Sequence, residues 1–176
     1  MTAATAWLAL VAVLLVDPCR SDRGAERRSL ATATKRAIPD RVELVAAPAD
    51  GDVLSIVRTA YVHAAEEGRD ILVYVGAKWC EPCVRFHEAA LAGALDRTFP
   101  TLRLIELDLD RDRERLRHAG YTSKMIPLFV APRADGTPSD DRLEGSIKGP
   151  GAVEHIAERL SPLVSSVRAV RAASGR

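Results

Sequence analysis

A run of β-branched and aromatic residues that passes within a few positions into two closely spaced cysteines sets the strongest limit on this chain. From Ile71 to His87 the sequence reads I-L-V-Y-V-G-A-K-W-C-E-P-C-V-R-F-H. Ile71, Leu72, Val73, Tyr74 and Val75 form a continuous apolar segment of strand length, the pattern of a strand buried on both faces. Gly76 and Ala77 then lead towards Cys80-Glu81-Pro82-Cys83, after which apolar residues recur at helical spacing. The thiols therefore stand where a buried strand hands over to a helix. Unpaired amides and the positive end of the helix dipole at such a start favour a thiolate over a thiol. Pro82 suits the first turn, where a missing N–H costs nothing.

The 176 residues include three cysteines, Cys19, Cys80 and Cys83. Three thiols cannot build a disulfide scaffold for a domain of this size, so the close pair reads as reactive or metal-binding. Apolar residues make up 47% of the chain, enough for one domain with a real core. Basic and acidic residues nearly cancel, 25 against 24, and no overall field points to nucleic acid. The densest charge run, Asp108 to Arg115, is mixed in sign and reads as a solvated surface.

Residues 1–19 read as a signal or membrane anchor. The apolar run from Ala6 to Val16, ended by Asp17-Pro18, is short for a bilayer span but suits the core of an export signal. Arg20, Arg23, Arg27 and Arg28 lie on its far side, where they oppose export. Cys19 directly after the run resembles the lipid-modified cysteine of bacterial lipoproteins and is a candidate lipidation site, although Asp17 and Pro18 occupy places where that signal takes small residues. Three readings stand: a lipoprotein, another export signal, and an N-terminus that stays inside. Residues 20–40 are polar and Arg-rich and read as a tether.

The folded domain is expected over residues 41–164. Val42, Leu44 and Val45 suggest a first strand, and Val53 to Glu67 a helix with Asp52 as N-cap and Gly68 as its stop. Helix is expected again from Val84 to Ala94. Thr101 to Leu109 alternates as a strand does, with one doubly buried position, and a short helix from Arg113 to Ala119 closes at Gly120. Pro127 opens an apolar strand; the turn Asp135-Gly136-Thr137 leads to a partner strand over Arg142 to Ile147. A last helix runs from Ala152 to Val164, and residues 165–176 read as a flexible tail.

This order of elements, with Trp79-Cys80-Glu81-Pro82-Cys83 and Ile126-Pro127, resembles the thioredoxin family. Glu81 stands where the family's active-site motif has glycine, Ile126-Pro127 where it has its cis-proline, and Asp135-Gly136 with Gly145 where it has its closing hairpin. The resemblance implies a three-layer α/β fold, a central mixed β-sheet flanked by helices. It also implies a redox-active Cys80–Cys83 pair, Cys80 being the exposed attacker and Cys83 the buried resolver, with Trp79 shielding one side. Ile126, before Pro127, would offer its main chain to an extended peptide. Protein thiols or disulfides are the implied partners of a monomer that needs no cofactor. If the protein is exported, in the periplasm or on a membrane, reduction requires a membrane electron donor; a cytoplasmic site is the alternative.

Two departures from the family matter. The buried acid that assists proton transfer in thioredoxins is replaced here by Tyr74, which reads as core packing because a phenol is a poor base near neutrality. Glu81 puts a negative charge near the thiolate and tends to raise the Cys80 pKa, with Lys78 to offset it, so the pair is expected to be more reducing than in the strong oxidases. His87, four residues after Cys83, could share a helix face with it, but no fourth ligand is near and no metal site is expected. The alternative from another class is a binding or metal-holding module of the same fold without redox turnover.

Overall fold

The structure is a computed structural model that describes residues 40–174; the candidate signal, Cys19 and nearly all of the tether lie outside them. The apolar segment forms β2 (Asp70–Gly76), every residue of which is buried. A strand buried on both faces needs hydrogen-bonded neighbours on both edges and a helical layer on each side. On one edge β3 (Leu102–Asp108) pairs with it in parallel, Asp70 opposite Leu102 and Gly76 opposite Asp108, and β1 (Glu43–Ala46) continues in parallel beyond β3. On the other edge β4 (Leu128–Pro132) and β5 (Pro138–Glu144) form an antiparallel hairpin. The strand order is β1-β3-β2-β4-β5.

Alternate side chains of β2 fill two separate cores. Leu72 and Tyr74 join Leu104 and Phe129 under Phe86 of α2 (Glu81–Leu91) and Ile156 and Leu160 of α4 (Ala152–Ser174). On the opposite face Val73 and Val75 pack with Ile105 and Val130 against Val57 of α1 (Val53–Glu66) and Leu116 of α3 (Leu109–Ala119). The α/β class and the mixed central sheet are as the sequence predicts. Asp52 caps α1 by accepting the Ser55 amide at 2.9 Å. In β3, Leu104 and Ile105 are both buried, which is the doubly buried position.

Helix α2 runs from Glu81 to Leu91, three residues earlier at each end than expected, with Pro82 in its first turn, and three further elements differ from the sequence reading. Helix α3 begins at Leu109, not Arg113, because Asp108 caps it by accepting the amides of Asp110 and Arg111. Within the run read as solvated surface, Asp112 is fully buried. It accepts the Asp108 amide at 3.0 Å and the Arg115 guanidinium at 2.9 Å, and pairs with Arg111 at 2.7 Å. Arg115 also donates to the carbonyls of Pro48, Asp50 and Gly51, tying the loop before α1 to α3. Strand β5 starts at Pro138 and ends at Glu144, earlier at both ends than expected.

The third difference is the C-terminal tail, which continues as helix to Ser174. Asp70, at the start of β2 and fully buried, accepts Thr101 Oγ1 at 2.6 Å and pairs with Arg168 at 2.9 Å and Arg171 at 3.0 Å. The arginines that make the tail look polar in sequence are what hold it down. We expect Asp70→Asn to cost about 2 kcal/mol, discounted from the value for a fully buried pair because both arginines are partly exposed. Chemical denaturation measures it, and a loss of a few tenths of a kcal/mol, as for an exposed pair, would return the tail to the frayed reading.

Asp112 gives the fold an acid-sensitive point. Burial works to raise its pKa, but the Arg111 hydrogen bond, the Asp108 amide and the charges of Arg111 and Arg115 outweigh that and hold the carboxyl below its ordinary value. A depressed folded-state pKa contributes stability above the unfolded value of about 4, and the contribution vanishes as the pH falls through the folded-state value. Asp112→Asn should therefore lose stability at neutral pH and much less in acid. Stability curves for the two proteins that stay parallel from neutral to acid pH would rule this out.

Candidate active site

The thiols sit at the C-terminal end of β2, where the chain leaves the sheet and turns into α2. Cys80 is the N-cap of α2 and makes no side-chain capping bond; Pro82 lies in the first turn. Cys80 and Cys83 are joined in a disulfide with Cα atoms 5.2 Å apart. Gly76 makes the close approach feasible, since a Cβ there would lie 2.7 Å from the Tyr74 hydroxyl and 3.4 Å from Cys83 Cβ. The free amides of the helix start lie next to Cys80, the arrangement that lowers a thiol pKa.

The second half of the site comes from the loop before β4. The Ile126–Pro127 peptide is cis, Pro127 is buried, and its carbonyl accepts the Gly145 amide at 2.8 Å. Gly145 has φ 65°, and a Cβ there would meet Met125 Cβ at 3.2 Å, so glycine is needed at this junction. Ile126 and Leu109 pack against Ala77, Cys80 and Cys83. Trp79, Cys80, Pro82, Met125, Ile126 and Gly145 line a surface groove of about 380 Å³.

The expectation of an exposed Cys80 is corrected. As a disulfide, Cys80 is 5% exposed and Cys83 2%. The two are told apart by what they face: Cys80 lines the groove, whereas Cys83 lines a separate cavity of about 360 Å³ with Tyr74, His87 and Glu106. Trp79 stands beside Cys80 on the groove. It is 66% exposed, anchored through Nε1 to Asp110 at the start of α3 at 2.8 Å, and forms an outer wall of the groove.

Tyr74 is core. It stacks on Phe129 with ring centroids 5.0 Å apart, and Phe86 meets Phe129 edge-on at 4.9 Å. Its hydroxyl donates to the Cys83 carbonyl at 3.2 Å. Burial, reinforced by the Glu106 charge, pushes its pKa still higher, away from any role as a base near neutrality.

His87 turns to β3, its Nδ1 lying 2.7 Å from Glu106 Oε1. Among the described residues no group of three or more His, Cys, Asp or Glu side chains is placed to hold a metal ion. Glu106 escaped the sequence reading because it looked like one more outward residue of an alternating strand. Its register partner Tyr74 could have shown it, since that pairing puts Glu106 beside the resolving side of the cysteine pair.

The partner of Glu81 also differs from expectation. Arg85, one helical turn on, binds it at 2.8 Å, and the Gly149 amide donates to the same oxygen at 3.2 Å. The Arg85 guanidinium holds the Glu81 carboxyl below the usual range, with the Gly149 amide and Lys148 acting in the same direction. The compensation comes from Arg85 and not from Lys78.

No protein-family model and no curated protein matches the chain. Solved structures do. A mutant thioredoxin from Halobacterium salinarum is 18% identical with a TM-score of 0.46, over 75% of this chain and 95% of that one. The Schistosoma mansoni thioredoxin pre-protein is 18% identical at 0.45, over 71% and 98%. A disulphide isomerase from Xylella fastidiosa is 19% identical at 0.41, over 74% and 96%. The strand order, the two helical layers, the cysteines at the start of α2 and the cis Ile126–Pro127 peptide, whose Ile126 packs against them, are a thioredoxin-like fold on this chain's own geometry.

Exposed ion pairs are weak, so the Glu81–Arg85 pair sets a bound on the motif's electrostatics. Glu81→Gln should lower the Cys80 pKa by no more than about half a unit. Arg85→Gln, which strips the compensation from Glu81, should raise it. Thiolate absorbance followed against pH in the reduced protein measures both, and a Glu81→Gln shift much above one unit would mean that Arg85 does not compensate the charge.

Proposed function

We propose that the protein is a thiol–disulfide oxidoreductase that acts on other proteins, with Cys80 as nucleophile and Cys83 as resolving thiol. The observation that carries this reading is the Cys80–Cys83 disulfide at the start of α2, with Cys80 lining a groove that Ile126 also lines. In the dithiol form the Cys80 thiolate attacks a substrate disulfide; one S–S bond breaks, a mixed disulfide forms, and a substrate thiolate leaves and takes a proton. Cys83 then loses its proton and attacks Cys80 Sγ. The internal disulfide forms, the second substrate thiolate leaves, and two electrons have passed to the substrate. Ile126, at the wall of the groove, offers its main chain to the substrate segment.

Net reduction is the direction we assign. Glu81 occupies the first position of α2, next to Cys80, and Arg85 and the Gly149 amide offset its charge in part, so a small net charge opposing the thiolate remains. A thiolate stabilised less than in the strong oxidases leaves the disulfide the favoured form, which is a reducing couple. Each turnover consumes a dithiol, so a donor must restore it. With the N-terminal segment read as an export signal or anchor, we place the protein outside the cytoplasm, with a membrane protein as that donor.

Insulin reduction with dithiothreitol tests the reading. Cys80→Ser should abolish the acceleration. Pre-reduced Cys83→Ser, mixed with insulin after the dithiothreitol is removed, should stop after one step and accumulate a mixed disulfide, seen as a covalent adduct that added reductant releases. Equal rates for wild type and Cys80→Ser would favour a binding module without turnover.

A further inference from the structure

The sequence holds four lysines, Lys35, Lys78, Lys124 and Lys148, so twenty-one of its 25 basic residues are arginine. Lys35 lies outside the described residues. The other three surround the redox pair: Lys124 and Lys148 line the groove with Cys80, and Lys78 lines the cavity with Cys83. All three are exposed. Among the described residues every side-chain ion pair uses arginine or histidine and none uses lysine.

The division follows the chemistry of the two cations. Arginine's planar fork suits fixed pairs that hold elements together, whereas lysine is a compact charge on a flexible stem. The acids near the groove are already engaged: Glu81 by Arg85 and the Gly149 amide, Asp110 by Trp79 and Arg113. Lys148 acts on Glu81 only at longer range. The groove therefore carries uncompensated positive charge beside two exposed apolar side chains, Trp79 and Met125. Such charge around a cleft accelerates an oppositely charged partner and slows a like-charged one.

We propose that the groove selects a protein segment in extended conformation whose reacting cysteine is flanked by acidic residues, with an apolar residue set against Trp79 and Met125. Lys124 and Lys148 are the specificity-determining residues, and the proposal rests on Cys80 being the attacking thiol.

The test uses the reduced full-length protein and two peptides alike except at the residues flanking a single cysteine, Glu on both sides in one and Gln in the other. Each cysteine is a mixed disulfide with thionitrobenzoate, whose release reports attack on the peptide sulfur. The ratio of the two rates, divided by the same ratio for dithiothreitol, removes the peptides' intrinsic reactivity and any difference in folded fraction. At low ionic strength the corrected ratio should be about ten in favour of the acidic peptide, and it should fall towards one as salt is added. In the Lys124→Gln/Lys148→Gln double variant it should be near one at all salt concentrations. A ratio near one in the wild type, or one that survives the double substitution, overturns the inference while leaving the oxidoreductase reading intact. If the wild type releases thionitrobenzoate from neither peptide, the oxidoreductase reading falls and this inference with it.

Discussion

The two-sided burial of β2 is the constraint on which the rest depends. Every residue from Asp70 to Gly76 is withdrawn from solvent, so the strand can exist only at the middle of a sheet that is covered above and below. Parallel pairing with β3 follows from the crossover through α2, and antiparallel pairing with β4 supplies the other edge. The C-terminal end of such a strand is where a central sheet presents chemistry to solvent. The thiols are at that end because the chain has to leave the sheet there and begin α2.

Two buried carboxylates brace this core from opposite ends. Asp70 starts β2 and gathers Thr101, Arg168 and Arg171, pinning the end of α4. Asp112, in the first turn of α3, gathers Arg111 and Arg115 beside the loops that surround the site. Each charge is buried in company, the condition under which burial is tolerated. Among the described residues arginine makes these pairings, and the three lysines lie on the redox face.

The site itself is divided by the disulfide into two sides of different character. The Cys80 side is a groove with exposed Trp79 and Met125 and two lysines, suited to a passing chain. The Cys83 side is a cavity walled by Tyr74, Val84 and the His87–Glu106 contact. That separation gives the two cysteines different surroundings although their exposure is almost the same.

By itself the sequence determined the alternation of strands and helices that sets the α/β class and the position of the cysteine pair at a strand-to-helix junction, while the pairing of that junction with Ile126-Pro127 came from the resemblance to the thioredoxin family. The first two depend on local pattern: a continuous apolar strand, helical periodicity after it, and residue types with few conformations open to them. What it could not determine were the partners of charged side chains. Asp112 in a run of mixed charges and Arg168 in a polar tail look like surface residues, because burial of a charge depends on what the fold brings over it: the loop that Arg115 binds beside Asp112, and Asp70 beside Arg168. Asp70 finds its arginine partners about a hundred residues away, and Glu81, besides its helical neighbour Arg85, finds the Gly149 amide from far along the chain. Only the tertiary structure decided these pairings, since charge compensation acts through space while apolar periodicity is written along the chain.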